Sequence, residues 1–285
     1  MSSNDKKEIF ELVTLKSGHK SLRLANTRQT FHPGIGPLAE ADILYVQQQK
    51  LIERCSVPGK FIIWDVGLGA AANALAAIRA LGNCEAEVEL HSFEKSLDPL
   101  DFAVEHAEDL EYPLPYLPLI KSLLENKSVQ VHPKLNWILH QGDFREVMLD
   151  QGIPSPNAIF YDPYSLTVNT EMWTLDFFKA LRERLSETTP CLLSNYTRST
   201  ALRVTLLLAG FYVGVGATIG NKEESTVASN RLDLIENPLD ERWLSRVKAS
   251  QNASPIRGLA QTNCPISEED YQLVINQKQF QRPTP

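Results

Sequence analysis

The most constraining stretch of the chain is Phe61-Ile62-Ile63-Trp64-Asp65-Val66-Gly67-Leu68-Gly69-Ala70-Ala71-Ala72-Asn73. An apolar run interrupted by a single acid reads as a strand buried on both faces. Two alternate glycines then ask for a turn whose backbone angles other residues reach only at a cost. The Ala-rich run from Ala70 to Leu81 is a good helix former. Strand, glycine turn and helix N-terminus make the first βα unit of a nucleotide-binding sheet, and the chemistry depends on what that turn holds.

The remaining chain repeats the alternation. Residues Glu8 to Leu15 and Lys20 to Leu24 flank Ser17-Gly18 as a hairpin, followed by the Gly/Pro-dense loop Thr30 to Pro37. A helix is expected from Pro37 to Arg54. Strands follow at Glu87–Phe93, Trp137–His140, Asn157–Tyr161 and Pro190–Ser194. Helices are expected near residues 97–108, 115–126, 172–185 and 199–209. Phe211–Gly216 and Thr226–Ser229 suit a closing antiparallel pair. Strands alternating with helices imply a doubly wound α/β fold. We expect an N-terminal hairpin and loop over 1–36, the main domain over 37–236, and a partly ordered tail over 237–285.

Ligands of such sheets sit beyond the carboxyl ends of the strands. Acids fall at four of those ends, Asp65, Glu94, Asp143 and Asp162. Any one alone is as well explained as a helix cap. All four together point to a ligand.

Charge bounds the partners. The net charge is −7 and the sequence pI about 5.5, which taken globally argues against nucleic acid. The distribution is uneven, however. Residues 1–36 hold six Lys/Arg against three acids, residues 188–222 hold three bases and no acid, and residues 85–150 hold fourteen acids against five bases. Such asymmetry can present a positive face on an acidic protein. No apolar run reaches the roughly 20 residues that span a bilayer, and the N-terminus lacks the apolar core of a signal peptide, so a cytoplasmic location is expected. Cys55, Cys84, Cys191 and Cys264 are too scattered for a disulfide framework or a zinc site.

Two cofactor classes compete for the turn. Gly67-x-Gly69-x-x-Ala72 satisfies the loose dinucleotide fingerprint, and Glu94 lies near the place of its ribose acid, so a nicotinamide cofactor remains open. S-adenosylmethionine carries no phosphate but has a sulfonium and an ammonium. Asp65, just before the glycines, would repel a pyrophosphate and suits a cation. Glu94 can accept from ribose hydroxyls, and Asp143 in Gly142-Asp143-Phe144 can accept from an adenine amino group.

Tyr161-Asp162-Pro163-Tyr164 follows the fourth strand. Methyl transfer is an in-line displacement in which positioning supplies most of the catalysis. An amine can donate to the Asp162 carboxylate and the Pro163 carbonyl, which orients its lone pair. Asp162 can also take the proton lost on alkylation. Tyr164 can lie against the developing cation.

The run Asp162-Pro-Tyr-Ser-Leu-Thr-Val-Asn-Thr-Glu-Met-Trp-Thr174 resembles the methyltransferase module of the MnmC type. That family completes the 5-methylaminomethyl-2-thiouridine modification at the tRNA wobble position. Weaker parts of the resemblance are Phe61 to Leu75, Ser92-Phe-Glu-Lys95, Gly142-Asp143, Leu208 to Phe211 and the loop Phe31 to Gly36 with Glu40-Ala-Asp. The resemblance implies a Rossmann-like class I methyltransferase fold, with a mixed seven-stranded sheet, helices on both faces and the last strand antiparallel. It implies S-adenosyl-L-methionine bound by Gly67, Gly69 and Glu94, with Asp143 at the adenine; Asp65, Asn73 and Phe144 are the further cofactor-binding candidates. Asp162 would be the catalytic carboxylate and Tyr164 the aromatic beside the amine. The implied reaction is N-methylation of an exocyclic primary amine of tRNA, without a metal.

The chain departs from the family pattern in places. The family turn usually reads Gly-x-Gly-Thr-Gly, whereas Ala70-Ala71 stand here. The family has Gly where Pro163 stands and Pro where Thr170 stands. The often basic segment after Gly210-Phe211 is neutral here as far as Lys222. A small-molecule N-methyltransferase, a nicotinamide-dependent oxidoreductase and a non-catalytic methyltransferase-like protein are the alternative expectations. His32, Arg198 and Arg203 are further candidates for substrate or phosphate contacts.

Overall fold

The structure is a computed structural model that describes residues 8–32, 34–166, 168–219, 224–258 and 263–281. The chain divides into two compact units, Met1–Phe144 with Ile219–Glu223, and Arg145–Thr218 with Glu224–Pro285. The expected boundaries at residues 36 and 236 fall inside these units.

In the first unit, strands β1 (Phe10–Thr14), β2 (Lys20–Leu24) and β3 (Gln29–Thr30) form a small antiparallel sheet. The expected hairpin therefore forms. Helical residues follow, but not as one helix. Pro37–Ala41 is α-helical, Asp42–Gln47 is a π-helical stretch, and Lys50 adopts a left-handed conformation (φ 51°) before Leu51–Arg54. The apolar spacing from Leu38 to Ile52 does not encode that backbone change.

Four more strands follow: β4 (Lys60–Val66), β5 (Glu87–Glu94), β6 (Ser128–His132) and β7 (Leu135–Gln141). β4 and β5 are parallel with Asp65 opposite Ser92, and β5 and β7 are parallel with Glu94 opposite Gln141. β6 runs antiparallel to β7. Between β4 and β5 lies the helix Ala72–Ala80, buried from Ala72 to Ile78. Its many alanines keep side chains short on every face, which lets it pack closely.

The second unit holds β8 (Ala158–Tyr161), β9 (Leu192–Asn195), β10 (Tyr212–Gly216) and β11 (Ser225–Ser229). β8 and β9 are parallel, while β11 pairs antiparallel with both β9 and β10. Helices Leu175–Arg184 and Thr200–Leu208 start at Thr174 and Ser199, whose hydroxyls accept from Phe177 N and Leu202 N as N-caps. The mixed α/β sheet has eight strands, where seven were expected. The additional one is β6, whose sequence SVQVH is only partly buried and gives a weak apolar alternation.

The tail is more ordered than its prolines suggest. It forms helices Glu241–Ala249 and Glu268–Ile275. Leu239 N donates to Val213 O, Leu175 N to Ile256 O, and Ile256 N to Thr205 Oγ1. The Gln279 amide exchanges hydrogen bonds with both backbone groups of Val213. Among the described residues no helix is long and apolar enough to cross a membrane.

Candidate functional site

In the first unit, the glycine turn leaves β4 with Gly67 at φ 88° and Gly69 at φ 51°, both left-handed. These angles explain why glycine stands at each place. Four of the turn's amides, those of Gly67, Leu68, Gly69 and Ala71, bond to the protein itself. Gly67 N and Leu68 N donate to Phe93 O at 3.0 and 3.2 Å, and Ala71 N donates to Leu68 O at 2.8 Å. Gly69 N donates to Glu94 Oε2 at 2.9 Å. A pyrophosphate would need such amides free and no carboxylate beside them. The arrangement thus disfavours a dinucleotide and suits a ligand without phosphates.

Glu94 ends β5 as the sequence suggests. Its Oε1 accepts from Lys95 N at 2.8 Å and Ser96 N at 3.2 Å. A carboxylate has about four acceptor positions. Three are used by amides, so the group is fixed in orientation with acceptor capacity left for a ligand hydroxyl. Burial pushes the Glu94 pKa up, the three amide hydrogen bonds pull the other way, and the charge of Glu8 adds to the rise.

Asp65 lies inside the sheet layer with no exposed surface. Its Oδ2 accepts from Ser92 Oγ at 2.8 Å, and Ser92 Oγ accepts from Trp137 Nε1 at 2.9 Å. The register that sets Asp65 opposite Ser92 creates this chain. Asp65 is therefore held in the sheet two residues before the turn's first glycine. Asn73 is buried in the first turn of the following helix. Gly142 N donates to Glu94 O at 2.9 Å, which brings the Gly142-Asp143 corner to the end of β5. Phe144 packs its ring against Trp64 (5.8 Å) and Phe93 (4.8 Å). Gly67, Gly69, Glu94 and the Asp143 corner are thus brought together within this unit.

Asp162 and Tyr164 belong to the second unit and follow β8. Both are partly buried. The segment around them is fixed from several sides. Asn195 Nδ2 donates to Tyr161 O at 2.7 Å, and Tyr196 OH donates to Tyr164 O at 3.1 Å. The Tyr161 hydroxyl donates to Met172 O. Trp173, fully buried, sets its ring edge-on to Tyr161 (5.3 Å) and Tyr196 (6.1 Å). Burial raises the Tyr196 pKa, and the charge of Asp162 raises it further, which keeps the hydroxyl a donor. At Thr170, where the family has Pro, the hydroxyl donates to Leu166 O at 2.6 Å and closes the loop.

Arg203 changes role, and the loop and strand histidines meet protein groups. Arg203 was a possible phosphate ligand or a solvated charge and is neither. It is 3% exposed and donates to Glu224 Oε1, Thr226 Oγ1 and Ser225 O at 3.0, 3.0 and 2.8 Å. His32 Nδ1 stands 4.0 Å from Glu40 Oε2. His132 Nε2 meets Leu81 O at 3.2 Å. His140 Nε2 meets His91 Nδ1 at 2.8 Å. Sequence reasoning gave no individual role to Ser92, Tyr112 or Tyr196. Tyr112 OH donates to Ala70 O at 3.0 Å, in the glycine turn itself. These contacts depend on tertiary register, and no local spacing announces them.

S-adenosylmethionine fits this set: a buried acid just before the turn and a fixed carboxylate at a strand end that bonds the Gly69 amide. A family model described as "S-adenosyl-L-methionine-dependent methyltransferase" matches residues 108–231. The tRNA 5-methylaminomethyl-2-thiouridine biosynthesis bifunctional protein MnmC of Methylibium petroleiphilum is 28% identical over 242 residues, covering 81% of this chain and 36% of that protein. An uncharacterized protein of Methanocaldococcus jannaschii is 25% identical over 237 residues, covering 82% of this chain and 64% of that one. The chain thus spans about a third of the first relative and just under two thirds of the second. The crystal structure of MnmC2 from Aquifex aeolicus superposes with a TM-score of 0.71 at 27% identity, covering 95% of this chain and 86% of that one. The chain is an S-adenosyl-L-methionine-dependent methyltransferase, with S-adenosyl-L-methionine as its cofactor, and is similar in sequence and fold to proteins of the MnmC type.

Proposed function

We propose that the chain methylates an exocyclic primary amine, the aminomethyl group of a tRNA wobble uridine. The observation that carries this reading is the likeness to MnmC2 over 95% of the chain, joined to the Asp162-Pro163-Tyr164 segment that follows β8. The bifunctional relative's name supplies the tRNA substrate.

Bound S-adenosylmethionine supplies an electrophilic methyl carbon. The chain's own part is to hold the cofactor and to present the amine. Glu94 would accept from a ribose hydroxyl with its remaining acceptor position, Asp143 would accept from the adenine amino group, and Asp65 would offset positive charge nearby. Asp162 accepts a hydrogen bond from the neutral amine and aims its lone pair, a positioning effect that can supply a large share of the rate. It then takes the proton that the nitrogen must lose after alkylation. Tyr164 lies against the nitrogen as positive charge develops there. The hydrogen bond from Tyr196 to the Tyr164 carbonyl keeps the segment in place.

Asp162→Ala should lower the turnover number by about 10²–10⁴-fold, the usual range for a lost acid–base group, while the cofactor dissociation constant stays within about twofold. Normal turnover in that variant would remove Asp162 from the chemistry. The substrate is tested separately, with bulk tRNA from cells lacking the gene and methyl-labelled cofactor. Incorporation at the wobble uridine supports the tRNA reading. The burial of Arg203 and the net charge of −7 favour a second reading, a small-molecule amine substrate. Cofactor turnover with small primary amines and no tRNA labelling would select it.

A further inference from the structure

A Cβ built on Gly69 would stand 3.0 Å from Phe31 Cε1 and 3.5 Å from Cδ1. An aromatic ring from the N-terminal sheet therefore lies directly against the second glycine of the cofactor turn. Gly69 is glycine for two reasons, its left-handed backbone and the closeness of this ring.

Phe31 is held in position by its own surroundings. Its amide donates to Leu22 O at 2.8 Å, and Ser21 Oγ donates to its carbonyl. Its ring meets Phe10 edge-on at 6.2 Å, and Phe10 in turn meets Phe102 at 5.9 Å. The loop beyond is clamped by the buried Glu40, whose Oε1 accepts from Gly34 N and Ile35 N at 2.5 and 3.1 Å. The small sheet itself is tied down where Lys20 pairs with Asp109 and Glu8 N donates to Asp98 Oδ2 at 3.2 Å. The aromatic face is thus preorganised and loses little freedom when a ligand arrives.

We propose that Phe31 is a cofactor-binding residue, the wall that the N-terminal sheet supplies to the S-adenosylmethionine site at Gly69. The inference rests on the cofactor assignment and adds a contact to it. A cofactor seated on the glycine turn meets apolar surface and a π face there, both favourable to a partly apolar cation. The three-stranded sheet then has a task beyond packing, since it carries Phe31 to the turn.

The test is calorimetric titration of the full chain with S-adenosylmethionine, comparing wild type with Phe31→Leu and Phe31→Ala. Wild-type binding checks the cofactor assignment by itself. Removal of one aromatic contact corresponds to about a tenfold rise in dissociation constant for Phe31→Ala. Phe31→Leu, which keeps apolar volume, should fold with an unchanged melting temperature and still bind several-fold more weakly. If Phe31→Ala does not fold, Phe31→Leu decides. Wild-type affinity in a folded Phe31→Leu protein, with wild type itself binding, overturns the proposal and leaves the cofactor assignment standing.

Discussion

Ala71 shows how a single residue departs from a family pattern and is tolerated. It stands where the third glycine of the turn is usual, is fully buried, and has φ 65°. A left-handed alanine costs roughly 1–2 kcal/mol. Glycine would relieve that strain. It would also forfeit about 0.8 kcal/mol of buried methyl and add roughly 0.4–1 kcal/mol of chain freedom to the unfolded state. The contributions nearly cancel. Ala71→Gly should therefore change the free energy of unfolding by less than about 1 kcal/mol, as read from urea denaturation. Ala71→Val adds β-branching in a left-handed backbone and two methyl carbons in a filled space. It should destabilise by about 2–4 kcal/mol. If Ala71→Gly instead stabilised by several kcal/mol, the strain would have to be far larger than the backbone angle implies.

At the scale of elements, the strands that position the site were legible because their apolar runs end in polar residues. Phe61 to Val66, Glu87 to Glu94 and Ala158 to Tyr161 all appear as strands close to where the pattern sets them. β6 was not legible, because an edge strand of Ser, Gln and His alternates weakly. The tail's two helices were not legible for a related reason. Its order comes from hydrogen bonds between distant segments, such as Gln279 with Val213, rather than from any period of its own. The acids at strand ends were legible as a group, but the partner that orients Asp65, Ser92, follows only from the register of β4 on β5. Gly214 in β10 gives this scale its own prediction. A Cβ there would overlap Ile235 Cγ2 and lie 2.7 Å from Asn237 O. The isoleucine can shift, but the carbonyl belongs to a segment bonded to β10 through Val215 N. Gly214→Ala should cost about 1–3 kcal/mol by overpacking, seen as a lower denaturation midpoint with an unchanged slope.

For the molecule as a whole, the acidic excess makes pH the informative variable, and two carboxyl groups respond in opposite senses. Asp270 in the tail is held below its ordinary value of 3.8, chiefly by hydrogen bonds from Arg257. Its contribution to stability is present above the unfolded value and is lost only as pH falls through the lower, folded one. Glu94 is shifted the other way, above its ordinary value of 4.5, chiefly by burial. Its ionised form costs stability in the free protein, and that cost is relieved as pH falls through the raised folded value. Under the proposed role, however, the ionised form is the one that accepts from ribose hydroxyls. Cofactor affinity should therefore fall on acidification at a pH above 4.5, before the Arg257–Asp270 pair is broken and while the fold is intact. By linkage, binding at a pH near the raised value should release protons, detectable by calorimetry in buffers of different ionisation enthalpy. Glu94→Ala should bind more weakly and lose this pH dependence. An affinity that stays flat down to acid unfolding would remove Glu94 from the set of groups that hold the cofactor.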